Sequence, residues 1–130
     1  MESSPAPPFQ FVDDVLSFRA NDGLTIHIPA KARGKQKLLG VLSSRLQFPR
    51  YFGGNWDALD ECLRDLSWLT GVSHVTIVHD GLPFSEQGEQ LTTYVKLLAD
   101  VVAERRKAAR APTLDVVFST RAREAVTAAL

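Results

Sequence analysis

Three short apolar, β-branched runs constrain the fold of this chain more than any other feature: Leu24-Thr-Ile-His-Ile28, His74-Val-Thr-Ile-Val-His79 and Leu114-Asp-Val-Val-Phe118. Runs of this length and composition read as strands buried in a sheet. The first follows Asn21-Asp22-Gly23, a turn signal, and Pro29 ends it. Segments of helical period lie between them. After Gly34, Leu38, Leu39, Val41, Leu42 and Leu46 recur at helical spacing until Phe48-Pro49 stops them. A second helix begins after Asn55, runs from Trp56 to Leu69 and closes at Gly71. Ser85-Glu86 opens a long third helix with Leu91, Tyr94, Val95, Leu98, Val101 and Val102 as its apolar stripe, and the arginines at its end suit the C-terminal dipole. The order strand, helices, strand, helix, strand builds a small α/β layer of parallel strands through right-handed crossovers. Phe9–Phe18 is apolar enough to dock but fits neither period, and 120–130 reads as one more helix or a frayed end.

With 130 residues, 45% of them apolar, the chain can bury one core without staples. The expected organisation is an N-terminal extension over 1–23, whose first eight residues read as disordered, a domain over 24–120, and a terminal helix or tail over 121–130. A single cysteine, Cys62, can form no internal disulfide and reads as a small buried hydrophobe. Neither a secretory leader nor a membrane span is expected, so the sequence predicts a soluble cytoplasmic protein. Fifteen basic residues balance fifteen acidic ones, which argues against general nucleic-acid binding. The charges are unevenly placed: basic residues gather at Lys31–Lys37 and Arg105–Arg110, acidic ones in the middle.

That acidic cluster is Asp57, Asp60, Glu61 and Asp65, answered only by Arg64. On a helical wheel Leu59, Cys62, Leu63 and Leu66 fall on the core side with Trp56 at its edge, while Asp57, Glu61, Arg64 and Trp68 stack opposite, flanked by Asp60 and Asp65. A helix N-terminus favours acids by roughly 0.3 to 1 kcal/mol each, which accounts for Asp57 but poorly for Asp65, beyond the first turns. Like charges four apart cost a few tenths of a kcal/mol, so the anionic surface calls for a further reason. Tyr51, Phe52, Gly53 and Gly54 lead into the helix. The loop lacks the Lys-Ser/Thr of a phosphate loop and the dinucleotide spacing, and the carboxylates would repel phosphate. His27, His74 and His79 lie in or beside strands without metal-ligand spacing and read as structural; Asp57 and Glu61 lack the companions that acid–base or metal chemistry requires. No cofactor or metal is implied.

At Phe48-Pro49, Tyr51-Phe52-Gly53, Asn55-Trp56-Asp57-Ala58-Leu59, Cys62-Leu63 and Asp65-Leu66 the sequence resembles the barstar family of intracellular ribonuclease inhibitors. The resemblance extends more weakly from Leu24 to Thr120. It implies a small three-stranded parallel sheet packed with helices, β-α-α-β-α-β, and a non-enzymatic protein that plugs the active site of a small basic ribonuclease or nuclease toxin, one to one, and is monomeric when free. Carried over by position, Tyr51, Gly53, Gly54, Asn55, Asp57, Asp60, Glu61 and Arg64 fall on the partner-binding loop and helix. Glu61 stands in place of the family's central aspartate. Asp60 stands where an aromatic residue occurs, and Arg64 replaces a small polar residue. Arg64 then either partners Glu61 within the helix or meets an acid on the target. Glu104 matches a second acidic contact, and Trp68 is either an interface anchor or folds over the helix end onto Trp56 or the sheet edge. A second reading is an interaction module of the same fold that binds another basic protein; an enzyme ranks last.

Overall fold

The computed structural model describes residues 7–50, 52–86 and 88–130. Four strands, β1 (Phe9–Val12), β2 (Leu24–Ile28), β3 (His74–His79) and β4 (Thr113–Ser119), form one all-parallel sheet in the order β1-β4-β3-β2. Helices α1 (Lys35–Arg45) and α2 (Trp56–Asp65) lie between β2 and β3, and α3 (Glu89–Ala108) between β3 and β4. A short 3-10 turn, Thr120–Ala122, leads into α4 (Arg123–Ala129). The three predicted strands stand as read, but the sheet has four strands rather than three.

The extra strand comes from the segment whose pattern fitted neither period. β1 pairs with the far edge of β4, in register from Phe9 opposite Val116 to Val12 opposite Ser119. Phe9 is buried edge-on against Phe118, ring centroids 5.3 Å apart, and Phe11 stacks on the same ring at 6.3 Å. Burying a phenylalanine stabilises by about 1.5 to 3 kcal/mol, enough to recruit a four-residue edge strand that periodicity could not announce.

Side chains alternate across the sheet, so its two faces have different covers. Ile26, Ile28, Val75, Ile77, Val116 and Phe118 meet the apolar stripes of all four helices in the main core. On the opposite face, Val78 and Val117 are covered by Val15, with Val12 and Phe18 beside them, so residues 13–20 form a strap across the back of the sheet. The hand of the crossover explains the strap. Stepping from β2 through β3 to β4 places the helices on one face; the return from β1 to β2 runs the other way, and keeping the same hand sends it over the other face.

Two helix boundaries differ from those predicted. α2 ends at Asp65, not Leu69, because Leu66 takes a left-handed conformation (φ 50°) that turns its side chain fully into the core. α3 starts at Glu89 with Gly88 as its N-cap, three residues after the predicted opening. No helix among the described residues is long and apolar enough to cross a membrane. Of the leader read as disordered, 1–6 lie outside the described residues.

Candidate functional site

The predicted site is built at the start of α2. The loop turns at Pro49, whose carbonyl accepts from the Phe52 N–H at 3.0 Å. Tyr51 lies outside the described residues. Gly53 is exposed, and Gly54 sits at φ 68°, a left-handed value that a side chain would resist by roughly 1 to 2 kcal/mol. Asn55 is extended, and its Oδ1 accepts from the Ala58 N–H at 2.7 Å, capping the helix as predicted.

Below the cap, α2 is anchored by its inner face. Leu59, Cys62 and Leu63 are buried, and Trp56 packs against Phe84 and Tyr94 with centroids 5.9 and 6.0 Å away. Tyr94 in turn donates its hydroxyl to His79 Nε2 at 2.6 Å, since His79 Nδ1 must carry the proton that Val117's carbonyl accepts at 3.1 Å. His79 is stacked on Phe118 at 4.1 Å, and desolvation pushes its imidazole down to about 4; burial also pushes the Tyr94 phenol up. This aromatic chain fixes the first turn of α2 to the sheet.

The far end of the helix is held by a residue that sequence reasoning placed elsewhere. Arg105, only 2% exposed, does not serve the end of its own helix. Its Nη1 donates to the carbonyl of Arg64 at 2.6 Å and of Asp65 at 3.3 Å, while Nε and Nη2 both reach the Pro112 carbonyl, at 2.8 and 2.6 Å. Arg110 adds a bond to the Arg64 carbonyl at 2.9 Å. Carbonyl acceptors at the end of α2 and just before β4 are thereby satisfied. Burial, followed by the charge of Arg110, lowers the Arg105 pKa.

The outward face carries the charge. Asp57, Glu61 and Asp65 are exposed and form no ion pair among the described residues; Asp65 Oδ1 accepts from the Ser67 N–H at 3.3 Å. Asp60 and Glu104 are engaged instead. Arg64 Nε donates to Asp60 Oδ2 at 2.9 Å, and its Nη1 meets Glu104 Oε2 on α3. Of the two roles read for Arg64, a partnership with Glu61 within the helix gives way to one with Asp60: the carboxylate one full turn earlier, at i−4, has the favoured orientation, and α3 draws the guanidinium to its side. Cys62, just inside this surface, has its thiol pKa raised by burial first and then by Asp65 and Glu61.

Trp68 does not continue the outward stripe, because α2 stops at Asp65. It is half-buried, its indole N–H donates to the Leu46 carbonyl at 2.9 Å, and Phe48 meets the ring edge-on at 5.9 Å. It folds onto the end of α1 rather than onto Trp56 or the sheet. With Phe52, Ala58, Cys62, Glu61 and Asp65 it lines a recess of about 140 Å³ on the anionic face. The other histidines pair with acids: His27 Nδ1 with Asp80 at 2.7 Å, His74 Nε2 with Asp115 at 2.9 Å. Among the described residues no group of three or more His, Cys, Asp or Glu could hold a metal ion.

A family model described as Barstar (barnase inhibitor) matches residues 24–118, well over half of the chain. The chain belongs to the barstar family. Comparison with curated proteins and with solved structures gives no match. The matched span runs from β2 into β4 and contains α1, α2 and α3, while β1, the strap and α4 of this barstar-family chain lie outside it. Within it, three exposed carboxylates with no ion pair among the described residues line α2, and a cation, Arg64, is drawn toward α3.

Proposed function

We propose that this chain is a cytoplasmic inhibitor of a small basic ribonuclease, binding one to one and blocking the active site with α2 and the loop before it. Barstar-family members are inhibitors rather than enzymes, and the family implies a ribonuclease partner. The observation that carries the reading is the pair Asp57 and Glu61, exposed, free of ion pairs among the described residues, and one turn apart on a helix clamped at both ends.

A ribonuclease must gather cations to hold RNA phosphates. Carboxylates set where those phosphates would lie meet a complementary potential, which speeds encounter and gives strong charge-assisted hydrogen bonds. Rigidity matters because little entropy remains to be lost in docking: the Asn55 cap, the Trp56 anchor and the Arg105 clasp order α2 in advance. Glu61 reaches one methylene further than an aspartate, so the favoured target presents its cations slightly deeper. Asp60 and Glu104 lie beside the contact and hold Arg64.

The test is titration into a panel of small microbial ribonucleases while following RNA cleavage at low and moderate salt. Tight one-to-one inhibition is expected, weakening as salt rises. Asp57→Ala with Glu61→Ala should cost at least about a hundredfold in inhibition while the melting temperature changes little, since the like-charge pair the helix sheds offsets the lost dipole contact of Asp57. A double variant as potent as the parent would overturn the reading. Failure to inhibit any ribonuclease, with capture of another basic protein through the same two residues, would favour the interaction module.

A further inference from the structure

The sheet order leaves β2 as an edge, and the groove beside that edge is basic. Four consecutive β2 residues, Leu24 to His27, line a hollow of about 550 Å³ together with Leu16, Arg19, Arg45 and Asp80. Arg45 also lines a second hollow, of about 840 Å³, formed by the outer face of α1 with Lys31 and Lys37 at its rim and Ala32, Gly40 and Val41 along its floor. The two hollows adjoin at Arg45, and together they form a trough with an unpaired strand edge on one side and a helix on the other.

Three features of this trough point to a ligand. The outer backbone groups of β2 have no partner strand, and the hydrogen bond between the Ile28 carbonyl and the Asp80 N–H only extends the ladder with β3. Lys31, Lys37 and Arg45 are exposed and form no ion pair among the described residues, while Asp80, the one carboxylate in either lining, is already held by His27. Leu16, at 67% exposure, stands over the strap side of the edge. An unpaired edge recognises an extended backbone; the cations ask for negative charge; the apolar floor asks for some aliphatic side chains.

We propose that the trough between β2 and α1 is a strand-addition site for an extended acidic segment of a partner protein. The segment pairs its backbone with Leu24–Ile28 and seats carboxylates against Lys37 and Arg45. A second copy of this chain fits poorly, because pairing two β2 edges would bring both sets of cations together. A nucleic-acid strand would use the charge but leave the β2 backbone unpaired. The site lies apart from Asp57 and Glu61 and does not depend on the ribonuclease reading.

A fluorescein-labelled decapeptide of alternating glutamate and valine, titrated into the isotopically labelled full chain, provides the test. Saturable binding that shifts the amide resonances of Leu24–Ile28 is expected, and Lys37→Glu with Arg45→Glu, both on exposed side chains, should weaken it by roughly tenfold or more with an unchanged circular dichroism spectrum. The Asp57/Glu61 double alanine variant should bind the peptide normally. No saturable binding, equal binding of a lysine–valine decapeptide, tighter binding of oligouridylate with the Leu24–Ile28 amides unmoved, or self-association through β2 would each overturn the proposal.

Discussion

Two buried polar residues decide how the acidic helix is held, and neither role follows from residue type alone. Arg105 is one of a run of basic residues at the end of a helix, where a dipole interaction is the ordinary expectation. Its true partners, the Arg64, Asp65 and Pro112 carbonyls, are distant in sequence or beyond the helix, so only the packing of α2 against α3 makes it a clasp. Arg105→Met should strand those carbonyls and cost about 3 kcal/mol or more, read from urea denaturation. His79 was legible as structural, because it closes a buried run and lacks ligand spacing. Its folded pKa of about 4 lies below the ordinary 6.5, so the unfolded chain binds the proton first. Its contribution is therefore complete above pH 6.5 and falls away toward pH 4, by roughly 3 kcal/mol in all. Ring resonances of His79 should still report a neutral imidazole at pH 5 while stability is already declining.

At the scale of elements, α2 was legible in its start and less so in its end. Asn55 as a cap, the core face of Leu59, Cys62 and Leu63, and the outward position of Asp57 and Glu61 follow from chemistry within one turn or from period. The stop at Asp65 does not: Leu66 takes a left-handed conformation that glycine would normally mark, because burying its side chain outweighs the backbone cost. With that stop Trp68 leaves the charged stripe, and Trp68→Ala should lower stability by about 2 kcal/mol through the lost Leu46 hydrogen bond and Phe48 contact, measured by thermal melting. The Asp60–Arg64–Glu104 bridge, being partly exposed, contributes little to stability. Arg64→Ala should shift unfolding by less than about 1 kcal/mol yet release two carboxylates, raising the association rate with a cationic partner in stopped-flow mixing. β1 and the strap escaped sequence reasoning because a four-residue strand and a turn-rich segment carry too few repeats to show a period. Val15→Asp tests the strap directly: a carboxylate placed against Val78 and Val117 should cost about 3 kcal/mol in urea denaturation.

Across the whole molecule, zero net charge conceals a separation. Carboxylates without an ion pair among the described residues crowd the outer face of α2, and cations line α1 and the β2 edge, so the electrostatic sum says little about which partners the protein can attract. Association through either surface should slow as salt rises, each toward a partner of opposite sign. The sheet order has a consequence of another kind, in time rather than in space. Phe9 pairs with Val116, so β1 cannot find its place until β4 has been made. Closing so long a loop is entropically costly and kinetically late, and contacts of this sequence separation slow folding. On a ribosome the apolar Phe9–Phe18 segment must wait unpaired until Val116–Ser119 has emerged. The β2–β3 pairing and its two helices can assemble first, and the back of the sheet stays bare until β1 docks on β4 and draws the strap across.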